Sequence, residues 1–183
     1  MYRNLGGQST AERGGSEMVT ISEYGNVLVN YEQPVEEAVR TALDRTDGDG
    51  LYVGTRVDHG IHSGNFKTER RGVASVKVEL IHFDQHLYDL DVLGVIDRRG
   101  YRPAELHELL ALSKKFPNLS LDFPLVELGS KMEEWNGGWR HYVVSMDRNV
   151  RGRCFQLTET GYGWYRLCRF AIVKKTPEEM KSK

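Results

Sequence analysis

The chain reads as an α+β protein, an antiparallel β-sheet packed with about three helices and preceded by a disordered N-terminal tail. Three observations predict it. Apolar residues recur at helical spacing after Pro34 and again after Pro103. The run 73–83, VASVKVELIHF, alternates like a strand. From Pro124 onward, short apolar and aromatic runs are separated by Gly- and Asn-rich turns every ten to twelve residues, the pattern of an antiparallel C-terminal meander.

Taken in order, residues 1–16 hold four glycines among polar residues and little to bury, so they are expected to be a disordered tail. A single domain is expected over 17–175 and a frayed polar tail over 176–183. In 18–29, Val19 and Ile21 alternate with polar residues, and Val27, Leu28 and Val29 follow Tyr24-Gly25-Asn26; two short strands about a tight turn fit. Pro34 suits a first helical turn, Glu36 and Glu37 follow where the helix dipole favours acids, and Val35, Ala38, Val39, Ala42 and Leu43 make the apolar stripe of a helix over 34–45. Six glycines then punctuate 46–72, which predicts a long loop, with Leu51-Tyr52-Val53 as a possible short strand inside it. After the strand 73–83, Asp84 is placed to cap a helix over 85–98 that ends at Arg98-Arg99-Gly100. Pro103 opens a helix whose stripe is Leu106, Leu109, Leu110 and Leu112, with Lys114 and Lys115 closing it and Pro117 ending it. The β-region that follows comprises 125–128, 140–147, 153–158 and 164–174.

Length and composition narrow the classes. The 183 residues suffice for one core without staples, and 39% hydrophobic with 28% charged residues is globular usage. A net charge of −1 gives no overall field for nucleic acid, although 129–183 carries 11 Lys and Arg against 6 Asp and Glu. No secretion-type or bilayer-length apolar run is present, so a cytoplasmic setting is expected, with Cys154 and Cys168 as free thiols packed like small hydrophobes.

The segments Tyr101-Arg102-Pro103-Ala104-Glu105-Leu106-His107-Glu108-Leu109-Leu110-Ala111-Leu112, Phe116-Pro117-Asn118-Leu119, Phe123-Pro124-Leu125-Val126-Glu127-Leu128-Gly129-Ser130 and Trp164–Val173 are distinctive. Their pattern resembles small uncharacterised bacterial and phage proteins that share a helix led by Arg-Pro-Ala, a strand led by Phe-Pro and an aromatic C-terminal strand. The resemblance covers about 34–174. It implies the fold boundaries and a bacterial or phage setting, and it brings no activity and no catalytic residues.

Motifs that carry chemistry are sparse. Asp47-Gly48-Asp49-Gly50 starts like a calcium loop, but Leu51 stands at the next ligand position and the closing Glu is missing, so a turn is the better reading. His59, His62, His82, Asp84 and His86 form a candidate metal set if the loop folds onto the end of strand 73–83. Against it, His82 shares a face with Val76, Val78 and Leu80, where a satisfied core histidine is commoner than a ligand. No nucleophile elbow, Walker loop or dinucleotide glycine series occurs, so no cofactor and no catalytic residue is assigned. The aromatic and basic C-terminal region is the most suggestive feature. Trp135, Trp139, Arg148, Arg151, Arg153 and Tyr162 are the residues expected to meet a partner, although aromatics filling their own core explain much of the same composition. The leading expectation is a non-enzymatic interaction or regulatory protein that binds a protein through this surface and the Gly-rich loop. A nucleic-acid-binding sheet and a metal-dependent hydrolase stand as the alternatives.

Overall fold

The computed structural model describes residues 9–14, 17–43, 56–149 and 152–181. Its elements begin with β1 (Ser9–Gly14), β2 (Glu17–Asn30), α1 (Val35–Leu43), β3 (Arg56–Val57), β4 (Val73–Phe83), α2 (Asp89–Arg98) and β5 (Tyr101–Pro103). They continue with α3 (Leu106–Lys115), a 3-10 turn at Leu119–Leu121, β6 (Leu125–Val126), β7 (Met132–Trp135), β8 (Trp139–Asn149), β9 (Gly152–Glu159) and β10 (Arg169–Lys174).

Among the described residues the strands form one sheet in the order β1-β2-β4-β10-β6-β8-β9-β3. β5 lies on β10 beside the place where β6 pairs with it, and β7 lies on β8. Pairing is antiparallel except for β10 with β6 and β3 with β9. The α+β class is as predicted, but the C-terminal strands are not a simple meander. Only β7, β8 and β9 follow one another as neighbours, because β6 inserts between β8 and β10.

Strand alternation sends two sets of apolar side chains to opposite faces of this sheet. Val27, Val29, Val78, Leu80, Val144, Met146 and Phe155 meet α1 and α3 on one face. Val19, Ile81, Phe83, Val143, Phe170 and Ile172 meet α2 on the other, so the helices form two layers rather than one.

Several boundaries differ from the sequence reading for physical reasons. Residues 17–30 are a single strand, not a hairpin. Both halves pair with β4, and Tyr24-Gly25-Asn26 becomes a register shift with Gly25 at φ 82°, a value only glycine takes cheaply. β1 falls within the segment expected as a tail, since Ser9–Gly14 pairs with Glu17–Ser22. Pro103 does not open a helix: Tyr101–Pro103 pairs with β10, and α3 starts at Leu106 behind a capping box made by Glu105 and Glu108. α2 starts at Asp89 rather than 85, because Leu87 exchanges backbone hydrogen bonds with Trp164 and Asp84 is left uncapping. The last strand is confined to Arg169–Lys174; Trp164 makes only an isolated bridge. The strand expected at 51–53 and the Asp47–Gly50 turn lie outside the described residues.

Polar groups stitch the layers. Arg102 grips Glu108 with both terminal nitrogens (2.8 and 2.6 Å), Tyr31 donates to the same carboxylate at 2.6 Å, and Arg70 joins Glu105 (2.8 Å) to Glu179 (2.6 Å). Glu127 is fully buried: its carboxyl accepts the backbone N–H of Ser130 at 2.8 Å and of Val144 at 3.2 Å. Ser130 Oγ in turn accepts the N–H of Leu106, so this turn ties the start of α3 to the sheet.

Candidate functional site

Seven of the ten large hydrophobic side chains exposed among the described residues come from three segments: Tyr88 and Leu90 at the start of α2, Trp135 and Trp139 flanking the β7–β8 turn, and Tyr162, Tyr165 and Leu167 in the β9–β10 connection. Trp139 has the parity of Val143, which packs under α2, and Trp135 faces Trp139 across the ladder. The two indoles therefore stand on the face of the sheet that carries α2 and the β9–β10 connection.

Local chemistry explains how each segment is held. The carboxylate of Asp89 accepts Trp164 Nε1 at 2.6 Å and the N–H of Gly161 at 2.7 Å, which draws the β9–β10 connection against the first turn of α2. Trp164 itself is buried, edge-on to Phe170 with ring centres 5.6 Å apart. His82 Nε2 donates to the Arg166 carbonyl at 2.7 Å, and burial holds this imidazole below its ordinary pKa. Gly163 sits at φ 82°, and a Cβ there would lie 2.2 Å from His86 Nε2. The missing side chain leaves room for the His86 ring, which stands edge-on to Tyr88 and Tyr165 at 5.7 and 6.0 Å. At the hairpin, Trp135 and Trp139 pack edge to face at 5.5 Å with about two-thirds of each ring residue still exposed (65% and 66%). Arg140 pairs with Glu159 at 3.3 Å and lies within electrostatic reach of Tyr162. His141 faces Glu133 at 3.4 Å, and Arg166 faces Asp84 at 3.9 Å.

The residues expected to meet a partner are thus divided. Trp135, Trp139 and Tyr162 are all exposed, and the two indoles face each other across the β7–β8 ladder. Arg148 is exposed in the last residues of β8, beyond Asp147, and Arg151 lies outside the described residues. Arg153 is a correction: it is 2% exposed. Its guanidinium donates to the carbonyls of Ala42 at 3.0 Å and Ser113 at 3.4 Å, in the last turns of α1 and α3. Orphan carbonyls carrying the negative ends of two helix dipoles hold this cation inside. A single strand with Arg at an alternating position does not reveal that two helix ends wait beneath it.

The histidine set does not converge. Asp58 and His59 begin a turn against β9, where Asp58 N–H donates to Phe155 O and the Asp58 carboxylate accepts Leu157 N–H at 3.3 Å. His62 Nδ1 accepts the N–H of Gly64, whereas His82, Asp84 and His86 are engaged with Arg166, Tyr88 and Tyr165. Among the described residues no group of three or more His, Cys, Asp or Glu side chains is placed to hold a metal ion. The described part of the Gly-rich loop is anchored: Ile61 and Phe66 are buried, and Ser63 Oγ accepts the N–H of Val35 at 2.9 Å while donating to Glu36 at 2.7 Å. Both thiols are buried, which pushes Cys154 up and Cys168 up to about 11, far from the thiolate a nucleophile needs.

A cavity of about 250 Å³ lies between α1, α3 and the end of β2, with Leu28, Gln33, Thr41, His107 and Lys114 in its lining. Its imidazole donates to the Gln33 carbonyl at 2.9 Å. The sequence reading missed Tyr88, Leu90, Tyr165 and Leu167 as surface groups. It took the whole of 164–174 for a strand, whereas 165–167 lie outside β10, beyond the bridge between Leu87 and Trp164, with Tyr165 and Leu167 exposed. Among the described residues no helix is long and apolar enough to cross a membrane. No protein-family model, no curated protein and no solved structure matches the chain.

Proposed function

We propose that this chain is a non-enzymatic recognition protein that binds a protein partner through the aromatic surface beside α2. The observation that carries the reading is the concentration of seven of ten exposed large hydrophobic side chains in three adjoining segments. Isolated exposed hydrophobes are ordinary, but grouped Trp and Tyr rimmed by polar and charged side chains match the composition of interface hot spots. The rim consists of His141 facing Glu133 and Arg166 facing Asp84.

The test uses the full chain as bait with Trp135→Ala plus Trp139→Ala, and separately with Tyr165→Ala. Partners retained by the native chain are expected to be lost by these variants while thermal unfolding stays within about 2 °C, because the rings are exposed. An unchanged partner set would overturn the reading. Single-stranded nucleic acid on the same rings is the second reading, favoured by Arg166 in the β9–β10 connection, and it has lost the contribution expected of Arg153. It requires a salt-dependent mobility shift with an oligonucleotide at low ionic strength, and no shift would end it. The metal-dependent hydrolase has no supporting geometry among the described residues.

A further inference from the structure

β2 has two edges with different fates. Its inner edge pairs with β4 along nearly its whole length, and its outer edge pairs with β1 only from Glu17 to Ser22. Beyond the irregularity at Glu23–Asn26, no described strand lies on the outer edge of Asn26–Asn30.

The orientation of this edge follows from two contacts. Lys115 Nζ donates to the Asn26 carbonyl at 2.6 Å from outside the sheet, so Asn26 points its peptide groups outward. Tyr31 N–H donates inward to Gly72 O at 3.0 Å, continuing the β4 ladder. By alternation Leu28 and Asn30 share the outward set with Asn26. Leu28 is 73% exposed on the face away from Val27 and Val29, and its neighbour Val73 on β4 is also exposed. A cavity of about 250 Å³ opens beside Leu28 and Asn30, lined also by Thr41 of α1 and by His107 and Lys114 of α3.

The sequence of the open segment is Asn26-Val27-Leu28-Val29-Asn30, which reads the same in both directions. In an antiparallel pair centred on Leu28, Leu28 faces Leu28, each Val faces a Val, and Asn26 faces Asn30. A two-fold interface requires this kind of self-complementarity. The outward residues become the hydrogen-bonded pairs of the new ladder, and the exposed leucines meet on one face. Asn30 N–H of one copy replaces Lys115 Nζ at the Asn26 carbonyl of the other. We infer that the β2 edge, Asn26–Asn30, is a homodimer interface at which two copies join their sheets in antiparallel register about Leu28. This surface is separate from the aromatic one and does not depend on its role.

Sedimentation equilibrium of the full chain over a wide concentration range tests it. The native protein is expected to dimerise. Leu28→Lys sets two like charges opposite each other and should raise the dimer dissociation constant by about tenfold or more, with unchanged circular dichroism and melting. Leu28→Cys should give a covalent dimer on mild oxidation, while Leu90→Cys, exposed far from this edge, should not; Cys154 and Cys168 are buried and do not interfere. A protein that is monomeric at every concentration overturns the inference. So does a dimer that Leu28→Lys leaves intact, since its contact must then lie elsewhere.

Discussion

Gly163 shows how one atom's absence shapes the aromatic surface. Its positive φ and its contact with His86 both resist a side chain, although the ring is exposed and can swing away. Gly163→Ala should therefore cost about 1–2 kcal/mol, chiefly from the left-handed backbone, as measured by urea denaturation. The displaced imidazole should also weaken partner binding, because Tyr88 and Tyr165 lose the ring that spaces them. A variant with native stability and native binding would contradict this account. At this scale the sequence was only partly legible. Trp135, Trp139 and Tyr162 stood out by type, and burial agrees that they are outside. Arg153 misled, since its charge suggests solvent while its partners are carbonyls from residues 42 and 113, distant in sequence. Glu127 is not legible as buried, because a Glu in the expected strand 125–128 suggests solvent, while the N–H groups of Ser130 and Val144 that hold its carboxyl are placed by the fold.

Elements whose own pattern suffices were read closely. β4 spans the predicted 73–83, and α1 and α3 lie inside their predicted ranges, because alternation and helical stripes are local signals. The start of α2 was placed too early and β5 was not foreseen, Pro103 being read as the opening of a helix, because both are set by Trp164 and by β10, which lie some seventy residues further along the chain. The start of α1 makes the same point in reverse. No residue next to it in sequence caps Val35; Ser63 from the glycine-rich segment does so and also donates to Glu36. Ser63→Ala should destabilise the fold by about 0.5–2 kcal/mol, the usual range for a lost N-cap, with α1 amides losing hydrogen-exchange protection first. Equal loss of protection across the whole sheet would show that the serine does more than cap.

Over the whole molecule, two buried or bridged carboxyls set opposite pH trends. Burial pushes Glu127 up to about 8, against the pull of the Ser130, Val144 and Gly129 N–H groups. The unfolded chain ionises this group near its ordinary value of 4.5, so it releases the proton before the folded chain does. The contribution of Glu127 is therefore intact at acid pH and declines as pH rises from about 4.5 to about 8. Glu179 behaves oppositely. Burial would raise it, but hydrogen bonds from Arg70 and the Thr176 N–H, together with the Arg102 charge, bring it down to about 2. Its contribution is present above its unfolded value and is lost as pH falls toward about 2. Stability is expected to peak in mildly acidic solution, between these two slopes. Denaturation midpoints across pH check it, and Glu127→Gln should flatten the alkaline slope alone; a slope that persists in that variant assigns it to another group.

The strand order also governs when the molecule can close. Of the described strands β10 is made last, yet it lies between the β1-β2-β4 ladder and the β6-β8-β9-β3 ladder and is the sole strand linking them among the described residues. Until residue 174 has cleared the ribosome, a nascent chain holds two half-sheets with raw inner margins and no seam between them. Such margins invite wrong pairings, so the interval before the final strand slots in is when this protein most needs a chaperone's shelter.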